Sequence, residues 1–382
     1  MTYEQIIKQN KEFIDETFAK IDKKLSKVTV KNRNKIPYSQ KEDGSFDDYS
    51  TCPSMWTNGF WGGLNMLMYD YTKNPDYLET ALTSEKLMDR AFSKVEELNH
   101  DVGFMWHIVS GANYKINGNI ESRNRNLLVA MLLASRYEAD AKYIRCWNGP
   151  WRGEDTSRFS IIDCMMNIPL LYWASKELDD DRFYRIAVHH ADMAQKYHVR
   201  ADGSVNHIVV HDLNEPDKVI ETKGGQGYGV GSSWSRGVAW AVYGFVLSYI
   251  HTGNKEYLET AKKTAQHFIL SAEATGWLPL LDFYAPEEPV YYDSTAGAIT
   301  ASGLIEISKL VPDSEKELYL TPAINILKAM SENWCDYSDK TDGILQMGSE
   351  SYRGGRHKYI VYGDYYFVEA ILKLKGSEFL NW

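Results

Sequence analysis

One pattern recurs along the chain: an apolar helix, a short polar turn, then an amphipathic helix opening near an aromatic residue. It is seen in MLMYDYTKNPDYLETA (66–81), LLYWASKELDDDRFYRIA (170–187) and FVLSYIHTGNKEYLETA (245–261), with a weaker copy in GLIEISKLVPDSEKELYLTPA (303–323). The first helix of each pair cannot face water. GVAWAVYGFVLSYI (237–250) and MNIPLLYWA (166–174) are apolar nearly all round, whereas YLETAKKTAQHFIL (257–270) has one apolar stripe. Short turns make neighbouring helices antiparallel. Asn74, Asp181 and Asn254 suit the turn or N-cap before the outer helix, and Pro75 suits its first turn.

Apolar spacing predicts about twelve helices, over 2–22, 54–72, 75–98, 103–114, 122–140, 160–178, 181–198, 232–252, 255–272, 295–311, 315–335 and 361–375. Self-similarity of this kind marks a repeat architecture. Buried inner and half-exposed outer helices in six hairpins make an all-α fold, an (α/α)6 barrel. Unequal repeat spacing and long intervening segments favour a closed, decorated barrel over an open solenoid. No Pro- or Ser-rich linker interrupts the chain, so residues 1–382 read as one catalytic domain. The irregular segments are 36–60, 99–106, 144–160, 200–236, 274–295 and 340–360, and most precede an inner helix. In a barrel they gather at one mouth, where a rigid scaffold presents binding chemistry. Within 200–223, short alternating runs predict a small hairpin.

Composition narrows the function. A net charge of −10 argues against nucleic acid and anionic membrane as partners. No apolar run reaches 18 residues, so no membrane-spanning helix is expected. MTYEQIIKQNKEF lacks the apolar core of a signal peptide, and Cys52, Cys146, Cys164 and Cys335 form no CxxC pair. These features lead to the expectation of a cytoplasmic protein with free thiols. The aromatic share, 13%, fits a large core and a sugar-stacking cleft equally well.

Nucleotide, serine-hydrolase and zinc-protease motifs are missing. GGQGYGVG (224–231) fails the GxGxxG pattern and reads as a loop that lets backbone approach a ligand. His189 and His190 are adjacent on an outer helix and point different ways, so they make a poor metal site. Two carboxylates stand out. Asp163 lies in SIIDCMMN among apolar neighbours, where desolvation raises a carboxyl pKa toward that of a general acid. Asp101 lies in NHDVGFMW, in a turn before an aromatic segment. Capping a helix or turn is the alternative role for both. Trp56, Trp61, Trp147, Trp234 and Trp240 sit in loops or at helix starts, and Arg236 lies between the last two with His207 and Gln226 nearby. An Arg among aromatics suits a carboxylate ligand, with a buried structural ion pair as the alternative.

The blocks WTNGFWGG, HDVGF, IIDCMMNIPLLYWA, SSWSRGVAWAVYGF, DSTAGAITASGLIEI and YGDYYFVEAILKL, in that order from Trp56 to Leu374, resemble the unsaturated glucuronyl hydrolases of glycoside hydrolase family 88. The resemblance implies an (α/α)6 barrel that removes a Δ4,5-unsaturated uronic acid from the non-reducing end of lyase-generated, glycosaminoglycan-type oligosaccharides. It implies that Asp101 and Asp163 are the essential acids. Substrate contacts are implied at Trp56, His100, Trp147, His207, Gln226, Trp234, Arg236 and Trp240. Asp163 is then the general acid and base, and Asp101 stays ionised and orients the sugar. No metal or organic cofactor is needed for this chemistry. Three departures are visible: Gly225 replaces the histidine of the family's His-Gln-Gly, Asn58 replaces the acid of WTDGFW, and SESYRGGRHKY (349–359) lacks the Ser/Lys pattern of members acting on sulfated substrates.

Other functions fit parts of the pattern. An unsaturated rhamnogalacturonyl hydrolase shares the barrel and chemistry with a pectin-derived substrate. A sugar epimerase on this barrel wants paired histidines at the mouth, for which His207 and His211 are the loop candidates. A noncatalytic sugar-binding protein has no use for a buried Asp163.

Overall fold

The turn between paired helices has one construction, used four times. In the computed structural model, which describes every residue except Pro216, Lys73, Gly118, Asp179 and Gly253 adopt left-handed conformations with φ of 60°, 67°, 51° and 71°. An extended cap follows each of them. The side chains of Asn74, Asn119, Asp180 and Asn254 accept the backbone N–H of Asp76, Ser122, Arg182 and Glu256 at 3.0–3.1 Å. Each such cap stabilises its helix by about 1 kcal/mol. The cap in the third hairpin is therefore Asp180, one residue before the Asp181 expected from sequence.

The helices are α1 (Tyr3–Gln9), α2 (Lys11–Lys31), α3 (Gly59–Thr72), α4 (Pro75–Met88), α5 (Ala112–Asn117), α6 (Ile120–Ala134), α7 (Pro169–Leu178), α8 (Asp181–Tyr197), α9 (Ser235–Thr252), α10 (Lys255–Glu273), α11 (Ser294–Leu310), α12 (Asp313–Asn333) and α13 (Val361–Leu374). A π-helical segment, Gly103–Gly111, leads directly into α5. The inner ring runs α3, the π-helical segment with α5, α7, α9, α11 and α13, and α13 touches α3 to close it. Around it, α4, α6, α8, α10 and α12 each pack on their inner partner, while α2 packs on α13 and completes the last hairpin. This is the (α/α)6 barrel.

Burial follows the sequence pattern. On α9 every residue from Ser235 to Ser248 is buried. On α10 only one stripe is, at Tyr257, Thr260, Ala261, Thr264, Ala265, Phe268 and Ala272. The main core is continuous from Ile6 to Trp382. Burial of each large apolar side chain contributes about 1.5–3 kcal/mol.

Four predicted helices differ in detail: the span 75–98 ends as α-helix at Met88 and continues as two short 3-10 turns, Asp89–Ser93 and Val95–Glu97, and three others depart as follows. The span 2–22 divides at Asn10, whose side-chain amide bonds the carbonyl of Ile6 at 2.8 Å, and its second part continues to Lys31. The span 122–140 stops at Ala134, and β1 (Tyr137–Glu138) pairs with β2 (Tyr143–Ile144) beyond it. The span 160–178 opens not as helix but as β3 (Phe159–Ile161) and a 3-10 turn (Ile162–Met166) before α7. A short apolar run carries no period long enough to separate strand from helix. Here pairing across the chain decides: β3 joins β4 (Ile208–His211), which joins β5 (Val219–Lys223), all antiparallel. The hairpin predicted within 200–223 is thus present. Pro216, between its strands, lies outside the described residues. Among the described residues no helix is long and apolar enough to cross a membrane.

Candidate active site

The segments 36–60, 99–106, 144–160, 200–236 and 340–360 reach one cavity of about 410 Å³ at the barrel mouth. Segment 274–295 stays behind its wall, where the Asp282 carboxylate accepts the N–H of Tyr228 (2.9 Å) and of Ser233 (3.0 Å) and fixes the glycine loop. Of the sequence-predicted residues, Trp56, Asp101, Trp147, Asp163, His207 and Gln226 line the cavity.

Both acids are buried yet open a small face to the cavity: Asp101 is 7% exposed and Asp163 9%. Asp163 sits in the 3-10 turn between β3 and α7, and Asp101 in the turn before the π-helical segment. Asn167 links them. Its Nδ2 lies 3.4 Å from both the Asp101 carboxylate and the Asp163 carbonyl, and its Oδ1 accepts the N–H of Phe104 at 2.9 Å. Gly103 permits this, since a Cβ there would stand 2.6 Å from Asn167 Oδ1. Asn167 was not singled out from sequence, though it closes the IIDCMMN block.

The two carboxyls are biased opposite to the sequence expectation. Burial, then the charge of Asp163, hold Asp101 well above the usual carboxylate range. Burial pushes Asp163 up as well, but His207 and Arg236 outweigh it, and Asp163 lies below its ordinary value. Apolar sequence neighbours therefore do not decide the proton's place; polar groups brought in from the β4 hairpin and α9 do. His100 is fully buried with Nε2 3.4 Å from Asp101, and burial lowers its pKa to about 3, so it faces Asp101 as a neutral ring.

His207 is placed by its neighbours. Its Nδ1 accepts the backbone N–H of Gln226 at 3.0 Å, which leaves Nε2 as the ring's N–H donor. Nε2 stands 3.2 Å from Asp163 Oδ1, off the line of a formed hydrogen bond. Catalytic hydrogen bonds of this kind commonly tighten when substrate arrives. Gly225 makes the arrangement possible. Its φ is +59°, and a Cβ would come within 1.9 Å of His207 Nδ1. The space beside Gly225 is thus filled by the His207 ring itself. Asn58 has a structural reason too: it is buried, and its amide donates to the carbonyls of Cys52 (2.9 Å) and Pro53 (3.2 Å), which a carboxylate cannot do.

Arg236 departs from its expected role. It is 1% exposed and absent from the cavity lining. Its Nη1 pairs with buried Asp293, its Nη2 donates to the Glu350 carbonyl at 2.8 Å, and its guanidinium lies 4.6 Å from the Trp234 ring. It acts on Asp163 by charge and on segment 349–350 by hydrogen bonds. Trp61, Trp234 and Trp240 are core residues, at 1%, 2% and 0% exposure. Trp234 packs on His207 (4.3 Å between ring centroids) and Trp240 on Phe104 (5.2 Å). His211 is wholly buried against Tyr143 and away from the mouth, which removes the paired histidines an epimerase would use.

Sequence reasoning missed Trp151, Arg152 and Glu350. Trp151 stacks on Trp147 at 5.6 Å and doubles the aromatic wall. Arg152 lies over Trp151 at 4.1 Å. Glu350 takes Tyr38 Oη (2.6 Å) and Lys358 Nζ (2.8 Å) on its carboxylate and Gln226 Nε2 (2.7 Å) on its carbonyl. The CWNGPW block contains Trp151 and was the available signal for it; Glu350 had none.

No protein-family model matches the chain. Curated proteins and solved structures do. It is 34% identical over 359 residues to an unsaturated glucuronyl hydrolase of Bacillus sp. (strain GL1), covering 91% of this chain and 94% of the relative. It is 30% identical over 337 residues to an unsaturated chondroitin disaccharide hydrolase of Streptococcus pneumoniae, covering 86% and 83%. The crystal structure of the Bacillus sp. GL1 unsaturated glucuronyl hydrolase, described as responsible for the degradation of glycosaminoglycan, superposes with a TM-score of 0.84 at 32% identity over 91% of this chain and 94% of that one. A cavity built on two buried acids, an aromatic wall and the matching barrel agree with these similarities: the chain belongs to the unsaturated glucuronyl hydrolases.

Proposed function

We propose that the protein removes a Δ4,5-unsaturated uronic acid from the non-reducing end of glycosaminoglycan-type oligosaccharides by hydrating the sugar's vinyl ether. The observation that carries this reading is the pair Asp101 and Asp163, buried at one cavity with opposite proton biases. A proton goes to C4 of the alkene, and positive charge develops at C5 and the ring oxygen. Water adds at C5, the hemiketal opens, and the leaving sugar departs from C1. Asp163 delivers the proton and then takes one from the attacking water, with His207 Nε2–H steadying its charge. The pair keeps one proton, which rests mainly on Asp101; the reactive form is the less populated one in which Asp163 carries that proton and Asp101 is ionised. Trp56, Trp147 and Trp151 supply faces for the apolar sides of the sugar rings. A cavity of about 410 Å³ fits one chain end, so the activity is exo-acting on short fragments. One domain, residues 1–382, carries it, and the cytoplasm is its place of work.

A second assignment, with Asp101 itself as donor, is favoured by Asp101's raised pKa. Asp101→Asn separates the two. With Asp163 as donor, the variant is slow at neutral pH, and kcat/KM rises as pH falls, because the lowered Asp163 then gains its own proton. With Asp101 as donor, acid brings no recovery. In the unmodified enzyme one proton stays on the pair between the lowered and the raised pKa. The kcat/KM profile is therefore bell-shaped, its falling limb above the usual carboxylate range.

A further inference from the structure

Beneath the cavity, away from any surface, three polar side chains form a chain of fixed direction. Ser160 on β3 is wholly buried, and its Oγ lies 2.9 Å from His198 Nε2 and 2.8 Å from His211 Nε2. His198 Nδ1 is 2.8 Å from the carbonyl of Asn206, which can only accept, so Nδ1 carries the hydrogen and donates it. Burial lowers both rings, His198 to about 4 and His211 to about 3, and each holds a single proton. His198 Nε2 must then accept from the Ser160 hydroxyl, and the Ser160 oxygen must accept from His211 Nε2–H. The order His211, Ser160, His198, Asn206 follows, with Met193 Sδ, 3.7 Å from the Ser160 oxygen, as the weaker alternative acceptor for its hydroxyl.

The chain ends beside the proposed machinery. Asn206 is gripped twice by the end of α8, its N–H bonding the His198 carbonyl at 2.8 Å and its amide the Tyr197 carbonyl at 3.1 Å. The next residue is His207. Three residues after Ser160 comes Asp163, and between them Ile162 N–H bonds the His207 carbonyl at 3.1 Å. On the β3–β4 ladder Ser160 stands opposite Val209. The chain therefore ties α8, β3 and β4 together at the level where the strands hand over to Asp163 and His207. Apolar side chains could fill this volume. The hydrogen-bonded run from His211 Nε2 to the Asn206 carbonyl adds direction, because each link forms in one orientation; His211 Nδ1 at its head is buried without a partner.

We propose that Ser160, with His198 and His211, is a positioning device for the Asp163–His207 pair, fixing through Asn206 and the strand ladder where His207 Nε2 meets the carboxylate. This rests on the function proposed above. Ser160→Thr keeps the hydroxyl, and Ser160→Val keeps nearly the same shape without it. Turnover of a Δ4,5-unsaturated chondroitin disaccharide by Ser160→Thr should stay within about threefold of the unmodified enzyme. Ser160→Val should lose roughly 10- to 100-fold in kcat with KM little changed, as expected of a misplaced acid–base group. The 15N signals of the His207 ring, read without substrate, should move in the Val variant and not in the Thr variant. If Ser160→Val does not fold, Ser160→Ala is read the same way. Unchanged kcat and His207 signals in the hydroxyl-free variant would overturn the proposal. So would equal losses in the Thr and Val variants that follow melting temperature alone. The spectra need no turnover, so a wrong substrate class fails separately, as an unmodified enzyme inactive on the disaccharide.

Discussion

Asp163→Asn should abolish turnover, by roughly 100-fold or more in kcat, while melting temperature and most substrate affinity stay near their unmodified values. The amide has the shape of the carboxyl and leaves the turn Ile162–Met166 intact. It can still face His207 Nε2–H with its oxygen. What it cannot do is give a proton to C4 or take one from water, and the reaction needs both. Steady-state kinetics on an unsaturated disaccharide, with a binding measurement on the same variant, reads the effect. A rate within a few-fold of the unmodified enzyme would remove Asp163 from the chemistry. Loss of fold with loss of rate would make the residue structural.

Gly225→Ala should cost roughly 100-fold in kcat although it adds one methyl group outside the cavity's acids. Two penalties coincide. A left-handed residue with a Cβ costs about 1–2 kcal/mol, and here φ is +59°. That Cβ would also stand 1.9 Å from His207 Nδ1, so the ring must leave its bond to Gln226 N–H. Displacing it by about 1 Å separates Nε2 from Asp163, and misplacement of that size at a reacting centre is worth about 100-fold. The measurement is kcat together with the His207 ring 15N signals. An alanine variant with normal rate would show that His207 does not set Asp163. A larger residue at 225 requires His207 to move away altogether, so this glycine and the position of His207 are a matched pair.

The barrel was legible because its signals are local. A polar pair such as Asn254 after Gly253, set between an apolar and an amphipathic run, fixes a turn by conformation and capping alone. The positions of Asp101, Asp163, Trp56, Trp147, His207 and Gln226 at one mouth follow from that architecture, since each lies in a segment preceding or opening an inner helix. Three things were not legible. The start of 160–178 folds as strand because β4 pairs with it, and that partner is remote in sequence. The proton bias of the acids inverted because His207 and Arg236 reach Asp163 from distant segments, whereas SIIDCMMN reports only its own apolar flanks. Arg236, Trp234 and Trp240 were expected to meet substrate. Asp293, which opens the block DSTAGAITASGLIEI but was given no role there, captures the guanidinium, and the two tryptophans turn into the core.

Hydration of a vinyl ether and displacement at the glycosidic carbon differ in the order of two signals. The enzyme is mixed with a Δ4,5-unsaturated chondroitin disaccharide, and alkene absorbance and the released reducing sugar are followed together in one time course. Hydration at C4 and C5 destroys the alkene before the leaving sugar is freed, so alkene loss should run ahead of sugar release or coincide with it. Release of the sugar while alkene absorbance persists would place the attack at C1 and contradict the role of Asp163 as proton donor to C4.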